Sequence, residues 1–479
     1  MNRKKKVIII GAGPAGLATA YEFLKKRKLD EYDIHIFECS DQVGGISKTL
    51  DFQGYRFDLG GHRFYTKFPE IKKFYENFLE KDMLRRKRLS RIYYNQLFFD
   101  YPLSAGNALN NLGIIASIQI VFSWLSRQLH KHSEEKTFDQ WVSNRFGDRL
   151  FKIFFKSYTE KVWGIPTSEL SADWAAQRIQ NFNLGKAMIS AITKSPMGAK
   201  TAIKSFHYPK YGPGMLYKKL QKMLEKKGVH FYFNTFVNEI NLKKNSSQVT
   251  SIGYVGADGN QQKIGVDSLV STMPFNELIL LLKPSASLKR QIKRLQFRNF
   301  ITVNLIIKNN PFPDQWIYIH EPQVKVGRIQ NFRNWSPYMI PEGENNTPIG
   351  MEYFASKNDE LWKMSDAKLL ALAKQEIVQL GLVQSTDIID GFVYRVNNAY
   401  PVYNFDYQTP LLQAKVFIQN FKNIFPCGRG GLFRYNNQDH SILSGFYVAR
   451  NILAGETIQS VWDINDDDMY LEEKESKTS

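Results

Sequence analysis

Apolar and polar positions follow one another along the first 38 residues in an order typical of a strand, a helix and a second strand. Residues 7–10 are consecutive apolar residues and predict a buried strand, and residues 34–37 predict another. Residues 17–26 lie between them and have the composition of a helix. This order predicts a βαβ unit.

The turn between the first strand and the helix carries the glycine spacing of a dinucleotide-binding site. Gly11 allows the tight turn, Gly13 lets the backbone approach a pyrophosphate, and Gly16 lets the helix pack closely on the strand. The first helical turn, which includes Ala15, offers unpaired N–H groups to phosphates. Glu38 ends the second strand and can accept both ribose hydroxyls, which disfavours a 2′-phosphate at this site. These residues predict bound FAD or NAD, and both nucleotides use the same fingerprint.

Later periodicity predicts a mixed α/β protein in which distant parts of the chain return to this nucleotide domain. Helical patterns dominate residues 69–204, with a hairpin signal at 91–102 whose turn is Asn95-Gln96. Residues 300–354 are strand-rich, and a last strand and helix are predicted at 424–426 and 440–453. The predicted parts are a discontinuous Rossmann-type domain at 1–75, 205–275 and 420–460, an inserted, mainly helical substrate subdomain at 76–204, an antiparallel-sheet substrate domain at 276–419 and a mobile acidic tail at 461–479.

Length and cysteine content narrow the class of protein. A chain of 479 residues is too long for one ordinary core, and 43% hydrophobic residues indicate a globular protein. Cys39 and Cys427 are its two cysteines, which excludes a disulfide scaffold and a cysteine-rich metal site, so no metal ion is expected. A strand predicted from residue 7 leaves no room for a signal peptide. A cytoplasmic protein is therefore expected.

The formal net charge of +18 suggests an anionic partner. Basic clusters lie at residues 3–6 and 85–91, and the chain has no recognition motif for nucleic acid. No nucleic-acid partner is expected. An anionic substrate or an anionic membrane surface fits the charge better.

The longest apolar run, residues 112–125, is interrupted by polar residues and is shorter than the roughly 20 residues that span a bilayer. A buried or amphipathic helix is the preferred interpretation. The alternative is an interfacial anchor, peripheral to the inner face of the membrane, with Arg127 and Lys131 facing lipid headgroups.

Four later motifs resemble those of one enzyme family. Residues 44–45 read GG and residues 60–62 read GGH, residues 161–163 read KVW, residues 326–337 end in NWSP, and residues 437–441 read NQDHS after Gly428-Arg429. In these motifs the chain resembles the flavin-dependent UDP-galactopyranose mutases, nearer their eukaryotic form. That family lies in the superfamily that includes amine oxidases and protoporphyrinogen oxidase.

The resemblance implies roles for particular residues. A helix starting at residues 437–441 would direct its N–H groups at the flavin, although Asn and Asp also cap ordinary helices. Arginine forks would bind the substrate pyrophosphate, whereas core packing remains the alternative for the aromatic residues. The implied cofactor-binding residues, besides those of the fingerprint, are Gly45, Ser47, Gly61, His62, Val237, Gly428, Arg429, Gln438 and Asp439. The implied substrate-binding residues are Trp163, Arg178, Arg328, Tyr400, Tyr435 and Asn437, with His62, Arg178 and Arg328 as the catalytic residues.

The resemblance also implies an activity: interconversion of the pyranose and furanose forms of a nucleotide-sugar, expected to be UDP-linked. FAD would act in its reduced form, with N5 as the nucleophile and NAD(P)H as the reductant. The alternative is an FAD-dependent oxidoreductase of the amine oxidase or protoporphyrinogen oxidase type. Arg178 and Arg328 favour the first activity, because an amine or porphyrin needs no pyrophosphate clamp. The sequence specifies neither the sugar nor the oligomeric state.

Overall fold

The computed structural model describes residues 3–101, 103, 105–178 and 205–464 and has the mixed α/β architecture that the sequence predicts. The strands in these residues are β1 (Lys5–Ile10), β2 (Tyr32–Phe37), β3 (Thr49–Phe52), β4 (Tyr55–Asp58), β5 (Met83–Lys87), β6 (Ser90–Tyr94), β7 (Leu97–Asp100), β8 (Ser205–Pro209), β9 (His230–Tyr232), β10 (Phe236–Leu242), β11 (Val249–Val255), β12 (Gln261–Gly265), β13 (Ser268–Ser271), β14 (Phe297–Ile307), β15 (Trp316–Ile319), β16 (Arg328–Asn331), β17 (Thr347–Ala355), β18 (Ile388–Pro401) and β19 (Ile424–Pro426).

The α-helices of the same residues carry the remaining regular structure, together with a π-helical turn at Lys152–Lys156. They are α1 (Pro14–Lys25), α2 (Pro69–Leu79), α3 (Ala105–Leu129), α4 (Phe138–Phe151), α5 (Ser157–Trp163), α6 (Ala172–Arg178), α7 (Gly214–Lys226), α8 (Phe275–Leu281), α9 (Ala286–Ile292), α10 (Phe332–Trp335), α11 (Glu360–Lys363), α12 (Asp366–Gln379), α13 (Gln408–Ile418), α14 (Gly428–Gly431) and α15 (Gln438–Ala454).

A five-stranded parallel sheet, ordered β19-β13-β1-β2-β9, forms the predicted Rossmann-type unit. Its strands come from three separate parts of the chain, which confirms the discontinuous layout. The predicted first strand is present and begins at Lys5, because its paired register with β2 extends past the apolar run. Residues 7–10 are buried on both faces, as expected for a central parallel strand.

Glycines set how closely α1, the sheet and α15 approach one another. A Cβ on Gly16 would lie 2.0 Å from the Gly11 carbonyl oxygen, so only glycine lets α1 sit this close to the turn that precedes it. On the other side of α1, a Cβ on Gly445 of α15 would lie 2.3 Å from the Ala15 carbonyl oxygen. These contacts are with backbone atoms, which cannot move aside as a flexible side chain can.

A seven-stranded sheet, ordered β18-β14-β17-β16-β15-β6-β7, forms the second layer beside the nucleotide unit. Its strands pair antiparallel except β15 and β6, which are parallel. Strands β6 and β7 form the predicted hairpin, and Asn95 and Gln96 at its turn both have positive φ. This hairpin belongs to the segment 76–204, so that segment contributes strands to the sheet as well as helices.

Two local expectations differ from the structure. Residues 83–87, within the stretch where helical patterns dominate, form a strand because they pair antiparallel with β8. The apolar run at 112–125 lies in α3. Of the preferred interpretation, a buried or amphipathic helix, the buried form is wrong, since Ile114 and Phe122 are 79% and 68% exposed. Residues 179–204 of the predicted helical segment and 465–479 of the predicted mobile tail lie outside the described residues.

The contact between α1 and α15 predicts a specific sensitivity to an added methyl group. Gly445→Ala forces two backbones apart and is expected to destabilise the protein by about 1 to 3 kcal/mol. Gly265→Ala is the matched control, since the nearest atom to its added Cβ is 3.9 Å away. Urea unfolding should show a lower midpoint for Gly445→Ala alone, and equal midpoints for both variants would contradict the packing account.

Candidate active site

A cavity of about 960 Å³ opens between the carboxyl ends of the parallel strands and the seven-stranded sheet. Ligands of open α/β sheets bind at this edge, where the loops that follow the strands meet. Most of the predicted site residues line the cavity, namely Gly11, Gly13, Ala15, Glu38, Gly45, Ser47, Gly61, His62, Val237, Arg328, Tyr400, Gly428, Arg429, Tyr435, Asn437, Gln438 and Asp439.

The dinucleotide end of the cavity is a cradle of glycine backbone. Gly11 has a φ of +98° and donates its N–H to the Phe37 carbonyl at 2.7 Å, which makes the tight turn. Gly13 caps α1 in an extended conformation, and a Cβ there would meet only the backbone of Gly45, at 3.7 Å from its Cα. The space above Gly13 is therefore open to the cavity, which fits the close approach of a pyrophosphate. Gly16 lies beneath the turn and acts in packing.

Glu38 is fixed at the end of β2 by hydrogen bonds from the backbone. Its carboxylate accepts the Ala12 N–H at 2.8 Å, and it also accepts the Ser40 N–H at 2.9 Å and the Ser40 hydroxyl at 2.7 Å. Lys48 is buried beside it and donates from Nζ to Ser40 Oγ at 2.8 Å. The sequence did not single out Lys48, because one lysine in a basic chain carries no signal of its own.

The N-terminus of α15 faces the cavity. Asn437 is the N-cap and the helix begins at Gln438, two residues before the predicted start. Gln438 accepts the Tyr217 hydroxyl at 2.8 Å and donates to the Arg63 carbonyl at 3.2 Å. The first turn of a helix carries partial positive charge, so this end of the cavity favours an electron-rich or anionic group.

Arg328 is held in the cavity wall by a buried carboxylate. It lies opposite Glu352 in the pairing of β16 with β17, and its Nε donates to Glu352 Oε2. Glu352 is fully buried and also accepts Gln330 Nε2 at 2.7 Å. Burial lowers the pKa of Arg328, but Glu352 together with the surrounding tyrosines Tyr158, Tyr400 and Tyr435 outweighs burial and raises that pKa well above its ordinary value. Arg328 is therefore a permanently charged but internally neutralised group.

Tyr400 and Tyr435 form a stacked pair next to Arg328. Their rings lie 5.6 Å apart at an angle of 17°, and Arg328 Nη2 donates to the Tyr400 hydroxyl at 3.2 Å. Burial raises the pKa of Tyr400, while the charge of Arg328 opposes that rise. The hydroxyl therefore stays protonated at neutral pH and is available as a hydrogen-bond donor.

Arg429 lies close to both tyrosine rings. Its guanidinium carbon lies 5.3 Å from the Tyr400 ring centroid and 4.9 Å from that of Tyr435. It donates to the Asn436 carbonyl at 2.6 Å and to the Ala399 carbonyl at 3.5 Å. Among the described residues, its hydrogen bonds go to carbonyl oxygens and to no carboxylate, so no described carboxylate neutralises its charge.

His62 is neutral in this site. Burial, with the nearby charge of Arg429, lowers the pKa of His62 to about 4. A ring nitrogen, Nε2, lies 3.0 Å from the Leu59 carbonyl oxygen, which can accept a hydrogen bond from a protonated Nε2. An imidazole with this pKa does not serve as a cationic acid at neutral pH. It can still orient a ligand by hydrogen bonding.

One predicted substrate residue, Trp163, is not among the described residues that line the cavity. Trp163 is buried and packs edge-on against Trp174 at 4.5 Å, with Tyr435 6.4 Å away, so it supports the tyrosine pair from behind. Helix α6 ends at Arg178, whose side chain lies outside the described residues.

Lys161 and Tyr158, which were not predicted as site residues, lie behind Arg328. They contact the loop that leads into β16. Lys161 donates to the carbonyls of Ile319 at 3.3 Å, Glu321 at 2.5 Å and Val326 at 3.3 Å, and burial lowers its pKa to about 8. Tyr158 stacks on His320 at 4.7 Å and 6°, and burial lowers the pKa of His320 to about 3. Lys161 belongs to the quoted KVW motif, but only the fold shows that it braces a loop 160 residues away.

The chain was compared with known proteins. Residues 14–453 match the model of the family described as "Flavin containing amine oxidoreductase". The chain is 24% identical over 269 residues to a 1-hydroxycarotenoid 3,4-desaturase of Flavobacterium sp. (strain P99-3), covering 50% of this chain and 52% of that protein. It is 24% identical over 185 residues to a probable UDP-galactopyranose mutase of Klebsiella pneumoniae, covering 37% and 46%. The matches thus span about half the length of these curated relatives.

A solved structure of reduced UDP-galactopyranose mutase has the same fold. It superposes with a TM-score of 0.79 at 21% sequence identity and covers 94% of both chains. This similarity in shape extends over the nucleotide unit and the seven-stranded sheet together.

The open space above Gly13 predicts a variant that folds but loses its nucleotide. The extended backbone at Gly13 suits a residue with a side chain, and the protein has space for the added Cβ. In Gly13→Val, however, the valine side chain would occupy the space left for the pyrophosphate. Retention of FAD, measured by absorbance after gel filtration, should fall by at least about tenfold with little change in the unfolding midpoint. Gly265→Val on an exposed strand is the control. Full FAD content in Gly13→Val would show that the cradle is not the nucleotide site.

The buried His320 predicts a loss of stability in acid. Its pKa of about 3 in the fold lies below the ordinary value near 6.5, so the unfolded chain takes up a proton that the fold excludes. The contribution of the neutral, buried His320 to the free energy of unfolding is fully present above pH 6.5 and is lost as the pH falls toward 3.

Between pH 8 and pH 4.5, the free energy of unfolding of His320→Phe should therefore fall by about 2 to 3 kcal/mol less than that of wild type, as measured by urea unfolding. The exposed His132 provides the control, His132→Phe, which should follow wild type. Parallel pH profiles for wild type and His320→Phe would contradict a neutral, buried His320.

Proposed function

Since the chain belongs to the family of flavin containing amine oxidoreductases, we propose that it is an FAD enzyme that interconverts the pyranose and furanose forms of a nucleotide-linked sugar. The nucleotide is UDP in this proposal, and NAD(P)H reduces the flavin without being consumed in each turnover. The observation that carries it is the arrangement of Arg328, Arg429, Tyr400 and Tyr435 at one end of the cavity.

The residues at the other end fit FAD. The glycine cradle leaves room for the pyrophosphate, Glu38 is placed for the ribose, and the N-terminus of α15 favours electron density on the flavin pyrimidine. Reduced FAD supplies a nucleophilic nitrogen, N5, for the anomeric carbon of the sugar. The protein's part is to bind the sugar nucleotide, hold its anomeric carbon toward the flavin and keep the departing diphosphate in place.

Arg429 is the strongest candidate for binding the diphosphate. Its charge is balanced by no carboxylate among its described contacts, whereas Arg328 is already paired with Glu352. Arg328 presents its remaining N–H groups in a fixed orientation, and Tyr400 stays protonated beside it. A diphosphate there would meet a net positive charge from Arg429 and directed donors from Arg328 and Tyr400. Arg178 remains a predicted second arginine.

This polar end of the cavity argues against a largely hydrocarbon substrate such as the hydroxycarotenoid named for the desaturase relative. Gln330 Oε1 is buried and has no hydrogen-bond partner among the described residues, and Gln330 lines the cavity. A polyene in this place would leave Gln330 and Arg429 without a polar ligand, at a cost of several kcal/mol. A hydroxyl-rich sugar diphosphate would satisfy both groups.

The second candidate function is a net redox reaction on an organic substrate, as the family description and the desaturase relative suggest. The same FAD cradle would serve it. The two functions differ in one measurable respect: a mutase returns its electrons to the flavin at each turnover, whereas an oxidoreductase passes them to an acceptor.

The first prediction from this proposal concerns the product and the electrons. Dithionite-reduced enzyme, incubated without oxygen with UDP-galactose, UDP-glucose and UDP-N-acetylgalactosamine in turn, should convert one of them to a furanose isomer visible by chromatography and NMR. The oxidised enzyme should be inactive. Oxygen uptake or acceptor reduction mole for mole with product would instead establish the oxidoreductase.

The second prediction concerns Arg328. Arg328→Lys keeps the charge but loses the fork, and should weaken UDP binding at least about tenfold while FAD content is unchanged. Arg91→Lys is the matched control, because Arg91 forms a two-pronged pair with the buried Asp314 at 2.6 and 2.8 Å but does not line the cavity. Equal UDP affinities for both variants, measured by titration calorimetry, would make Arg328 a structural residue only.

A further inference from the structure

Helix α3 exposes a continuous stripe of large apolar side chains. Ile114, Phe122 and Leu129 are 79%, 68% and 81% exposed, and Ile115, Ile118 and Leu125 are between 46% and 73% exposed. At 3.6 residues per turn these six positions fall within an arc of about 100° on one side of the helix. Monomeric soluble proteins rarely leave such a continuous apolar surface uncovered, which indicates an interaction site.

The shape of α3 excludes a membrane-spanning role for this stripe. Among the described residues, Asn110–Leu129 is long and apolar enough by length and composition to cross a bilayer. Gly113, however, has a non-helical φ of 81° and ψ of 169°, which breaks the helix. Residues 114–129 remain as one straight piece, about 24 Å long, which is less than the roughly 30 Å of hydrocarbon in a bilayer.

The opposite side of α3 is attached to the body of the protein by α4. The two helices approach so closely that a Cβ on Gly147 would lie 2.8 Å from the Trp124 backbone. Gln128 donates to the Asn144 carbonyl at 3.0 Å, and Arg127 forms an ion pair with Asp148 at 2.6 Å. The helix is thus a fixed surface element with one side packed and one side uncovered.

Cations accompany the stripe on the neighbouring helix. Arg149, Lys152 and Lys156 recur at helical spacing along α4 and the π-helical turn, and all three are exposed. The Arg149 N–H is bonded to Ser123 Oγ at 3.1 Å, which places this row beside α3. In the described part of the chain, no ion pair neutralises these three side chains.

Three nearby acids, by contrast, are already paired with cations. Glu134 pairs with Lys136 at 2.5 Å, Glu135 with Arg145 at 2.8 Å and Asp148 with Arg127 at 2.6 Å. The surface around the stripe therefore keeps a net positive charge.

We propose that this apolar stripe of α3, with the cations of α4, binds the surface of an anionic lipid bilayer. The six apolar side chains enter the boundary between headgroups and acyl chains while α3 lies in the plane of the membrane, and Arg149, Lys152 and Lys156 contact anionic headgroups. A second copy of the chain is a poorer occupant, because a two-fold interface brings the same face against itself and sets the two rows of cations near each other.

The test is flotation of the purified holoenzyme with vesicles of phosphatidylcholine alone or mixed with phosphatidylglycerol. Wild type should bind the mixed vesicles and lose binding as salt is raised. The double variant Ile118→Glu, Phe122→Glu should bind at least about tenfold more weakly, because its charges must enter the acyl boundary. The double variant Lys152→Glu, Lys156→Glu should bind mixed vesicles no better than phosphatidylcholine vesicles.

The matched control is Leu412→Glu, Val416→Glu on α13, whose side chains are 63% and 58% exposed on another helix. This control should bind as wild type does, and every variant should keep its FAD and its unfolding midpoint. Failure of wild type to float, or equal flotation of all variants, would overturn the proposal. A dimer in ultracentrifugation that Ile118→Glu, Phe122→Glu dissociates, without vesicle binding by wild type, would assign the stripe to self-association instead.

Discussion

The ion pair between Arg328 and Glu352 is the interaction on which the polar half of the cavity depends. Both groups sit on adjacent strands of the seven-stranded sheet, and the carboxylate is fully buried. Removing two charges from water is costly, and that cost is recovered only when geometry and additional hydrogen bonds are good. Here Gln330 donates to the second carboxylate oxygen and Tyr400 accepts from the guanidinium. The pair therefore fixes the Arg328 guanidinium, the Gln330 amide and the Tyr400 hydroxyl in one wall of the cavity.

The two ends of the cavity obtain their polarity from different parts of the protein. At the nucleotide end, the absence of a side chain at Gly13 leaves room for a ligand, and a helix N-terminus supplies polarity. At the other end, polarity comes from side chains that are held in place by carbonyl oxygens, as for Arg429, and by Glu352, as for Arg328. In the proposed function, the first end holds the flavin nucleotide and the second end binds the substrate.

The nucleotide end could be predicted from the sequence because its signal is local. A buried strand, three glycines and Glu38 lie within 38 residues, and their spacing alone specifies the turn. The partner of Arg328 could not be predicted, since Glu352 is 24 residues away and becomes its neighbour only through strand register. The brace from Lys161 to Glu321 spans 160 residues and has no sequence pattern. The exposed side of α3 was missed for a related reason, because an apolar run has the same composition whether it is covered or not.

The central claim is that the end of the cavity bounded by Arg328, Arg429 and the stacked tyrosines binds the diphosphate of a nucleotide-sugar. A crystal structure of the holoenzyme grown with UDP tests it most directly. The account predicts phosphate oxygens within about 3 Å of the Arg429 or Arg328 guanidinium and of the Tyr400 hydroxyl, with FAD on the glycine cradle. UDP bound elsewhere on the protein, or UDP displacing FAD from Gly13, would contradict it.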